Sequence, residues 1–241
     1  MKISLVIPMY NEEKIIRDTA TRVHGYMTEK FGAGNFEVLF SNDGSLDASA
    51  RAVEELSLDG VRVVGYEKNQ GKGCAVREGV LSAKGDVIMF TDADLAYGID
   101  VVGRFYDHFE ASPDTQILIG SRNIGDDGYE GYTLLRKIMS KTYIKVLCLA
   151  GGFELSDSQC GCKAFRRDAA KRIFSLCTVN GFAFDLEAIM IAQKMGVEIS
   201  EVPVKIINHT ESKVNVIKDT LGMLGDLRRI RRRVKRLDVS M

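Results

Sequence analysis

Gly85-Asp86-Val87-Ile88-Met89-Phe90-Thr91-Asp92-Ala93-Asp94-Leu95-Ala96-Tyr97 is the stretch on which the reading of the fold turns. Residues 87–90 form a short unbroken apolar run rich in strand formers, behind Gly85 and ahead of an acidic tip. This predicts a buried strand that delivers two carboxylates at its carboxyl end. Carboxylates two residues apart can share one hard cation through oxygen ligands, and Mg²⁺ or Mn²⁺ held this way completes its shell with water and substrate phosphates. The plain alternative is a solvated acidic turn, because so short a motif has many chance matches.

Upstream, three further strands are expected, each followed by a helical stretch. Residues 3–7 are closed by Pro8, and Tyr10-Asn11-Glu12-Glu13 opens a helix with acidic residues in its first turn, where the helix dipole favours them. Residues 36–40 run into Ser41-Asn42-Asp43-Gly44-Ser45 before a helix over 48–56, and residues 61–66 make the third strand. Strand and helix in alternation predict an α/β fold with a mostly parallel, Rossmann-like sheet flanked by helices. The turn Lys68-Asn69-Gln70-Gly71-Lys72-Gly73 leads into a helix from about residue 74 to 84. A glycine-rich turn at a helix start offers backbone N–H groups to an anion, and Lys72 adds charge. It matches neither of the common nucleotide-binding glycine motifs, so no NAD or ATP site follows from it.

Downstream come a helix near 99–110 and a strand over 116–119 that ends in Gly120-Ser121-Arg122. Ligands of open α/β sheets sit at the carboxyl ends of the strands, which is where Asn11, Asp43, Asp92, Asp94 and Arg122 fall. Residues 123–132 are glycine-rich and acidic, a candidate lid. From 133 to 149, Leu134, Leu135, Ile138, Met139, Val146 and Leu147 recur at helical spacing, which predicts a core face. Arg136 and Ser140 lie one turn apart, with Lys137, Lys141 and Lys145 on a neighbouring face that is either a solvated flank or a basic surface for an anionic substrate. Cys160-Gly161-Cys162 lacks the further ligands of a zinc site. Asp185 opens an apolar helix over 186–195, where it could simply be a cap. A late strand over 197–204 runs toward His209, a lone histidine of no special pattern.

The chain of 241 residues is long enough for one large α/β domain, and its 45% hydrophobic and 27% charged residues are ordinary for a globular protein. Net charge is zero but unevenly spread: residues 228–236 carry seven basic side chains, leaving 26 basic against 33 acidic elsewhere. Five cysteines, Cys74, Cys148, Cys160, Cys162 and Cys177, are odd in number and sparse, which points to a reducing compartment. The first residues are too short an apolar run for a signal peptide, and no stretch approaches the ~20 apolar residues of a membrane span. In the last segment, Ile217, Leu221, Leu224, Leu227, Ile230, Val234 and Leu237 form an apolar helical stripe among arginines. Such a helix, set off as residues 214–241 from a domain of residues 1–213, is a candidate solvated appendage, nucleic-acid arm or membrane-surface anchor, and its basic cluster favours the anchor. Nucleic acid is disfavoured by the acidic body and the absence of stacking aromatics in the tail.

Taken together, Val6-Ile7-Pro8-Met9-Tyr10-Asn11-Glu12, Asn42-Asp43-Gly44-Ser45-Leu46-Asp47, Asn69-Gln70-Gly71-Lys72-Gly73-Cys74-Ala75-Val76-Arg77, Asp92-Ala93-Asp94, Gly120-Ser121-Arg122 and Asp157-Ser158-Gln159-Cys160-Gly161 resemble glycosyltransferase family two, the inverting GT-A group, in its polyprenyl-phosphate branch. The resemblance runs from residue 3 to about 215 in the family's order. It implies a nucleotide-sugar donor, most simply UDP-glucose, and a polyprenyl (dolichyl or undecaprenyl) phosphate acceptor at the cytoplasmic face of a membrane. GDP-mannose, or a hydroxyl acceptor, is the same-class alternative, and a non-catalytic nucleotide-sugar sensor the alternative of another class.

At matching positions the resemblance implies that Pro8, Tyr10 and Glu12 line the nucleotide pocket and that Asp43 accepts from the base edge. Lys72 would join them in binding the donor, Asp92 and Asp94 would hold the sugar nucleotide with Mg²⁺ or Mn²⁺, and Arg122, Arg136 and Ser140 would face phosphates. Asp157 and Asp185 are both candidates for the catalytic-base position. The chain departs from the pattern at Asn42, where many relatives have aspartate, and at Ala96, where the mannose-transferring relatives have a third metal-ligating side chain.

Overall fold

The computed structural model describes residues 2–125, 128, 129, 131–208 and 216–239; the side chains of Leu135, Arg136 and residues 216–224 lie outside that description, as do His209 and the 210–215 stretch. Seven strands form one sheet in the order β3-β2-β1-β4-β6-β5-β7. The strands β1 (Ile3–Met9), β2 (Phe36–Asp43), β3 (Val61–Tyr66) and β4 (Val87–Phe90) run parallel. Their crossovers carry α1 (Glu13–Phe31), α2 (Ser49–Glu54) and α3 (Lys72–Ser82). All four residues of β4 are buried, as a strand covered on both faces by helices requires. Because β1 leads outward to β2 and β3 on one side while β4 lies on the other, the chain reverses its winding between β1 and β4. The crevice at that switch is where ligands of such sheets bind.

After α4 (Asp100–Ala111), β5 (Ile117–Ser121) and α5 (Leu134–Gly151), the chain departs from simple alternation. β6 (Lys163–Arg166) inserts antiparallel between β4 and β5, and α6 (Arg167–Leu176) follows directly. Neither element is expected from hydrophobic pattern. Lys-Ala-Phe-Arg is charged at both ends, yet Lys163 is only 1% exposed, because its ammonium meets Asp185 and the carbonyl of Cys160. Next come α7 (Phe184–Lys194), β7 (Ile199–Pro203), parallel to β5, and α8 (Val216–Arg236).

One expectation about apolar faces needs correction. On α5, Leu134 is 75% exposed and Ile138, Met139, Val146 and Leu149 also face outward, whereas Ile144, Leu147 and Cys148 are buried. At 100° per residue the outward set lies on the side of the helix opposite the buried one, so the spacing is helical but only the narrow inner face is core. On α8, Leu227, Ile230 and Val234 are buried in the common core, because the helix packs against α7 and α5. Its apolar stripe is therefore spent on the protein body from Leu227 onward. Among the described residues no helix is long and apolar enough to cross a membrane.

Candidate active site

The carboxyl ends of β1 and β4 meet at the switch in two turns that only extensive bracing would hold. Asn11 (φ 54°) and Leu95 (φ 49°) both adopt left-handed backbone without being glycine, a conformation that costs of order 1–3 kcal/mol and persists only where the surroundings impose it. The Asn11 side-chain oxygen accepts the Leu46 amide, and its own amide donates to Ser45. The Leu95 turn is held by Asn208, whose Nδ2 donates to the carbonyls of Asp94 and Leu95, and by the Ala96 amide on Asp94. Pro8, Tyr10 and Glu12 stand beside this crevice at the end of β1, with Tyr10 39% exposed.

Asp92, 31% exposed at its side chain, has a cationic partner. Lys72 Nζ lies 2.5 Å from its Oδ1, and burial, which works against the ammonium, is outweighed by Asp92 and, farther off, by Asp185 and Asp94, so the Lys72 pKa stays above its ordinary value. On the other side Gly161 approaches so closely that a Cβ there would sit 2.3 Å from Asp92 Oδ2. Lys72 and Gly161, from motifs 89 residues apart in the chain, thus clamp one carboxylate.

In the glycine-rich turn the backbone amides of Gln70, Gly71, Gly73 and Cys74 are already used within the protein. Asp43 is 4% exposed and accepts from Tyr66 Oη at 2.7 Å, from Asn69 Nδ2 at 2.9 Å and from the amides of Gln70 and Gly71. A carboxylate has about four acceptor sites, and these four donors tie Asp43 to the turn and order it. The amides of Gly73 and Cys74 donate to the Asn180 carbonyl, which caps α3. What the turn presents to the crevice is the Lys72 side chain.

Both candidate bases are held in ion pairs. Asp157, fully buried, receives Arg122 Nε at 2.6 Å and Nη2 at 2.9 Å in a bidentate pair, together with the Arg122 amide. Glu201 on β7 fixes this segment by accepting the amides of Ser156 and Asp157. The Arg122 guanidinium lies 5.6 Å from the centre of the Tyr129 ring, a buried residue in the stretch expected as a lid. Asp185 is 7% exposed and paired with Lys163 Nζ at 2.8 Å; its burial raises its pKa against the pull of Lys163. Ser140 is half-buried on α5, and the Arg136 side chain lies outside the described residues.

The residues that sequence reasoning missed are those that hold the chosen ones in place: Tyr66 and Asn69 on Asp43, Lys163 on Asp185, Glu201 on Asp157 and Asn180 on α3. Cys160 and Cys162 are core residues, and burial pushes the Cys160 thiol up to about 11.

Residues 4–174 match the family model described as Glycosyl transferase family 2. The chain belongs to that family. This glycosyltransferase is 31% identical over 243 residues to a dolichyl-phosphate beta-glucosyltransferase of Dictyostelium discoideum, a match covering 95% of this chain and 73% of that protein. With the protein of the same name from Homo sapiens it shares 31% over 247 residues, covering 96% and 75%. Among solved structures, glucosyl-3-phosphoglycerate synthase from Mycobacterium tuberculosis, in complex with Mn²⁺, UDP and phosphoglyceric acid, superposes with a TM-score of 0.71 at 18% identity, covering 99% of this glycosyltransferase and 80% of that chain. That likeness establishes the GT-A fold.

Proposed function

We propose that this glycosyltransferase moves glucose from UDP-glucose to a polyprenyl phosphate with inversion, at a membrane surface. The observation that carries the choice of acceptor is that Asp157 and Asp185 are both committed to ion pairs, with Arg122 and Lys163. A hydroxyl acceptor needs a base to take its proton, whereas a phosphate oxygen is already ionised at neutral pH. The names of the curated relatives agree with a lipid phosphate acceptor and a glucosyl group.

Asp92 and Asp94 offer hard carboxylate oxygens that suit Mg²⁺ or Mn²⁺. Among the described residues no group of three or more His, Cys, Asp or Glu side chains converges, so the remaining ligands would be diphosphate oxygens and water. A divalent cation there supplies charge neutralisation for the departing nucleoside diphosphate. Lys72 lies against Asp92 and adds a second positive charge beside the leaving group. Pro8, Tyr10 and Glu12 border the nucleotide, and Asp43 acts on it by ordering the turn that carries Lys72. On the acceptor side Arg122 has five N–H donors, of which Asp157 takes two; Arg136 and Ser140 lie on the helix beyond it. The Arg122–Asp157 pair orients the incoming phosphate.

The surface of α5 supports a lipid substrate. Its outward face carries Leu134, Ile138, Val146 and Leu149, edged by Lys141 and Lys145. The two lysines border a cleft of about 320 Å³ with Leu149, Phe153 and Leu155 in its lining. α8 packs on α5, with Arg231 donating to the Ala150 carbonyl, and adds exposed Arg228, Lys235 and Arg236. Basic side chains near an anionic leaflet contribute about 1 kcal/mol each, and the apolar face of α5 supplies the insertion that the α8 stripe, turned into the body, does not. The C-terminal unit of residues 214–241 then serves the membrane electrostatically.

Purified protein incubated with Mn²⁺, UDP-[¹⁴C]glucose and a polyprenyl phosphate tests the reading, with GDP-mannose and hydroxyl acceptors as competitors. Radiolabel extracted into the lipid phase supports it; label found only on hydroxyl acceptors overturns it.

A further inference from the structure

We infer that Arg233, on the C-terminal helix, is a positioning residue for the donor site, acting through Glu187 and Asn180 on Lys72. Glu187 on α7 is fully buried, and its two oxygens accept the amides of Thr178 and Val179, each at 2.7 Å, and the Thr178 hydroxyl at 3.0 Å. Arg233 completes the set: Nη1 donates to Glu187 at 2.7 Å and Nη2 to the Leu176 carbonyl at 2.6 Å. One arginine–carboxylate pair thus ties the end of α6 and the first part of its connection to α7, Thr178 and Val179, to the C-terminal helix.

The next residue of that connection is Asn180. Its carbonyl accepts the Gly73 amide at 2.7 Å and the Cys74 amide, and its side-chain oxygen accepts Arg77 Nη2 at 2.8 Å. The packing is close enough to transmit displacement: a Cβ at Gly71 would lie 2.5 Å from the Asn180 carbonyl oxygen, and one at Gly73 would lie 2.6 Å from the Val179 carbonyl oxygen. Lys72 sits between these two glycines, and its ammonium meets Asp92. A path of hydrogen bonds joined by backbone links at Val179–Asn180 and Lys72–Gly73 therefore runs from α8, through a buried carboxylate and a helix cap, to the cation beside the donor. Truncating Arg233 leaves Glu187 buried without its counter-charge, and the connection has then to shift to let in water.

The inference rests on the reading of Lys72 and Asp92 as part of the donor site. Its test is UDP binding in Mn²⁺ by titration calorimetry, with no lipid present, for wild type, Arg233→Ala, Arg233→Lys, Lys72→Met and the double variant Arg233→Ala/Lys72→Met. Arg233→Ala is expected to weaken UDP about fivefold to tenfold and Arg233→Lys to recover part of that, since lysine can meet Glu187 but cannot also span to Leu176. Lys72→Met weakens UDP at least as much, and the double variant binds within about twofold of Lys72→Met alone, the non-additivity expected of two residues in one path. Arg232→Ala, which removes the same charge from an exposed position, leaves the affinity unchanged. Should Arg233→Ala fail to fold, Thr178→Val removes one bond to Glu187 and is expected to weaken UDP about twofold to threefold. Wild-type affinity in folded Arg233→Ala or in Thr178→Val, or losses that multiply in the double variant, would overturn the inference. If Lys72→Met itself binds UDP normally, the donor-site reading fails and takes the inference with it.

Discussion

The Lys72 ammonium lies 2.5 Å from the Asp92 carboxylate, so one of the two acids at the tip of β4 already has a cationic partner. A divalent cation that uses Asp92 must share it with Lys72 or move the lysine toward the diphosphate. Lys72→Met is therefore expected to weaken UDP binding about tenfold or more, the scale of a lost charge-assisted hydrogen bond. The same variant should bind Mn²⁺ alone no worse than wild type. Calorimetric titration of each ligand separately distinguishes the two effects.

Gly161 has no room for a side chain. A methyl group there would stand 2.3 Å from Asp92 Oδ2, and overpacking of this kind typically costs about 1–3 kcal/mol. Gly161→Ala should stay folded yet lose at least about tenfold in turnover, because relief comes most easily by rotating Asp92 away. A thermal melt paired with a glucosyl-transfer assay checks both halves.

Arg122 and Asp157 form a bidentate pair with the carboxylate fully buried. Breaking a buried pair from one side commonly costs about 3–5 kcal/mol. Asp157→Ala should lower stability by that order in urea titrations and abolish transfer. Arg122→Lys keeps the charge but loses the fork, so it should retain more stability than activity.

Asp47 is a case where pH reports on structure. Burial works to raise its pKa, but hydrogen bonds from the Ser49 side chain and amide and the Glu13 amide lower it overall. A carboxylate with a depressed folded-state pKa contributes stability above its unfolded value of about 3.9, and that contribution is lost as pH falls through the folded value. Asp47→Asn should thus be less stable than wild type at pH 7 by up to about 1 kcal/mol, a cap-sized effect reduced by solvent. The difference should shrink below pH 4, which urea titrations across that range would show.

The outward face of α5 makes a separate prediction. Ile138→Glu with Val146→Glu changes exposed positions, for which stability effects are usually within about 0.5 kcal/mol. Co-sedimentation with anionic liposomes should fall sharply, and it should fall with salt for the wild type as well.

Much of this architecture is legible in the sequence because short apolar runs and glycine turns mark buried parallel strands directly. Residues 87–90 are a buried strand, and Asp92, Asp94, Asp43 and Arg122 do stand at strand ends. The antiparallel β6 escapes such reading because Lys163 looks like a loop residue until Asp185, 22 positions on, is seen to neutralise it. The outer face of α5 escapes it for another reason: periodicity reports that a helix is amphipathic but not which side meets the core. The roles of Asp43, Asp157 and Asp185 are invisible in a motif, since whether a carboxylate is free or already bonded depends on partners such as Tyr66 and Arg122 far away in the chain.

The central claim is transfer to a lipid phosphate at a site built on Asp92 and Asp94. The direct measurement is lipid-phase radiolabel formed from UDP-[¹⁴C]glucose and polyprenyl phosphate by wild type and Asp94→Ala in Mn²⁺. Wild type is expected to yield a β-linked glucosyl lipid and the variant at least about a hundredfold less, in line with removal of a principal transition-state charge contact. Lipid product at wild-type rate from Asp94→Ala, or no lipid product from wild type while a hydroxyl acceptor is glucosylated, would contradict it.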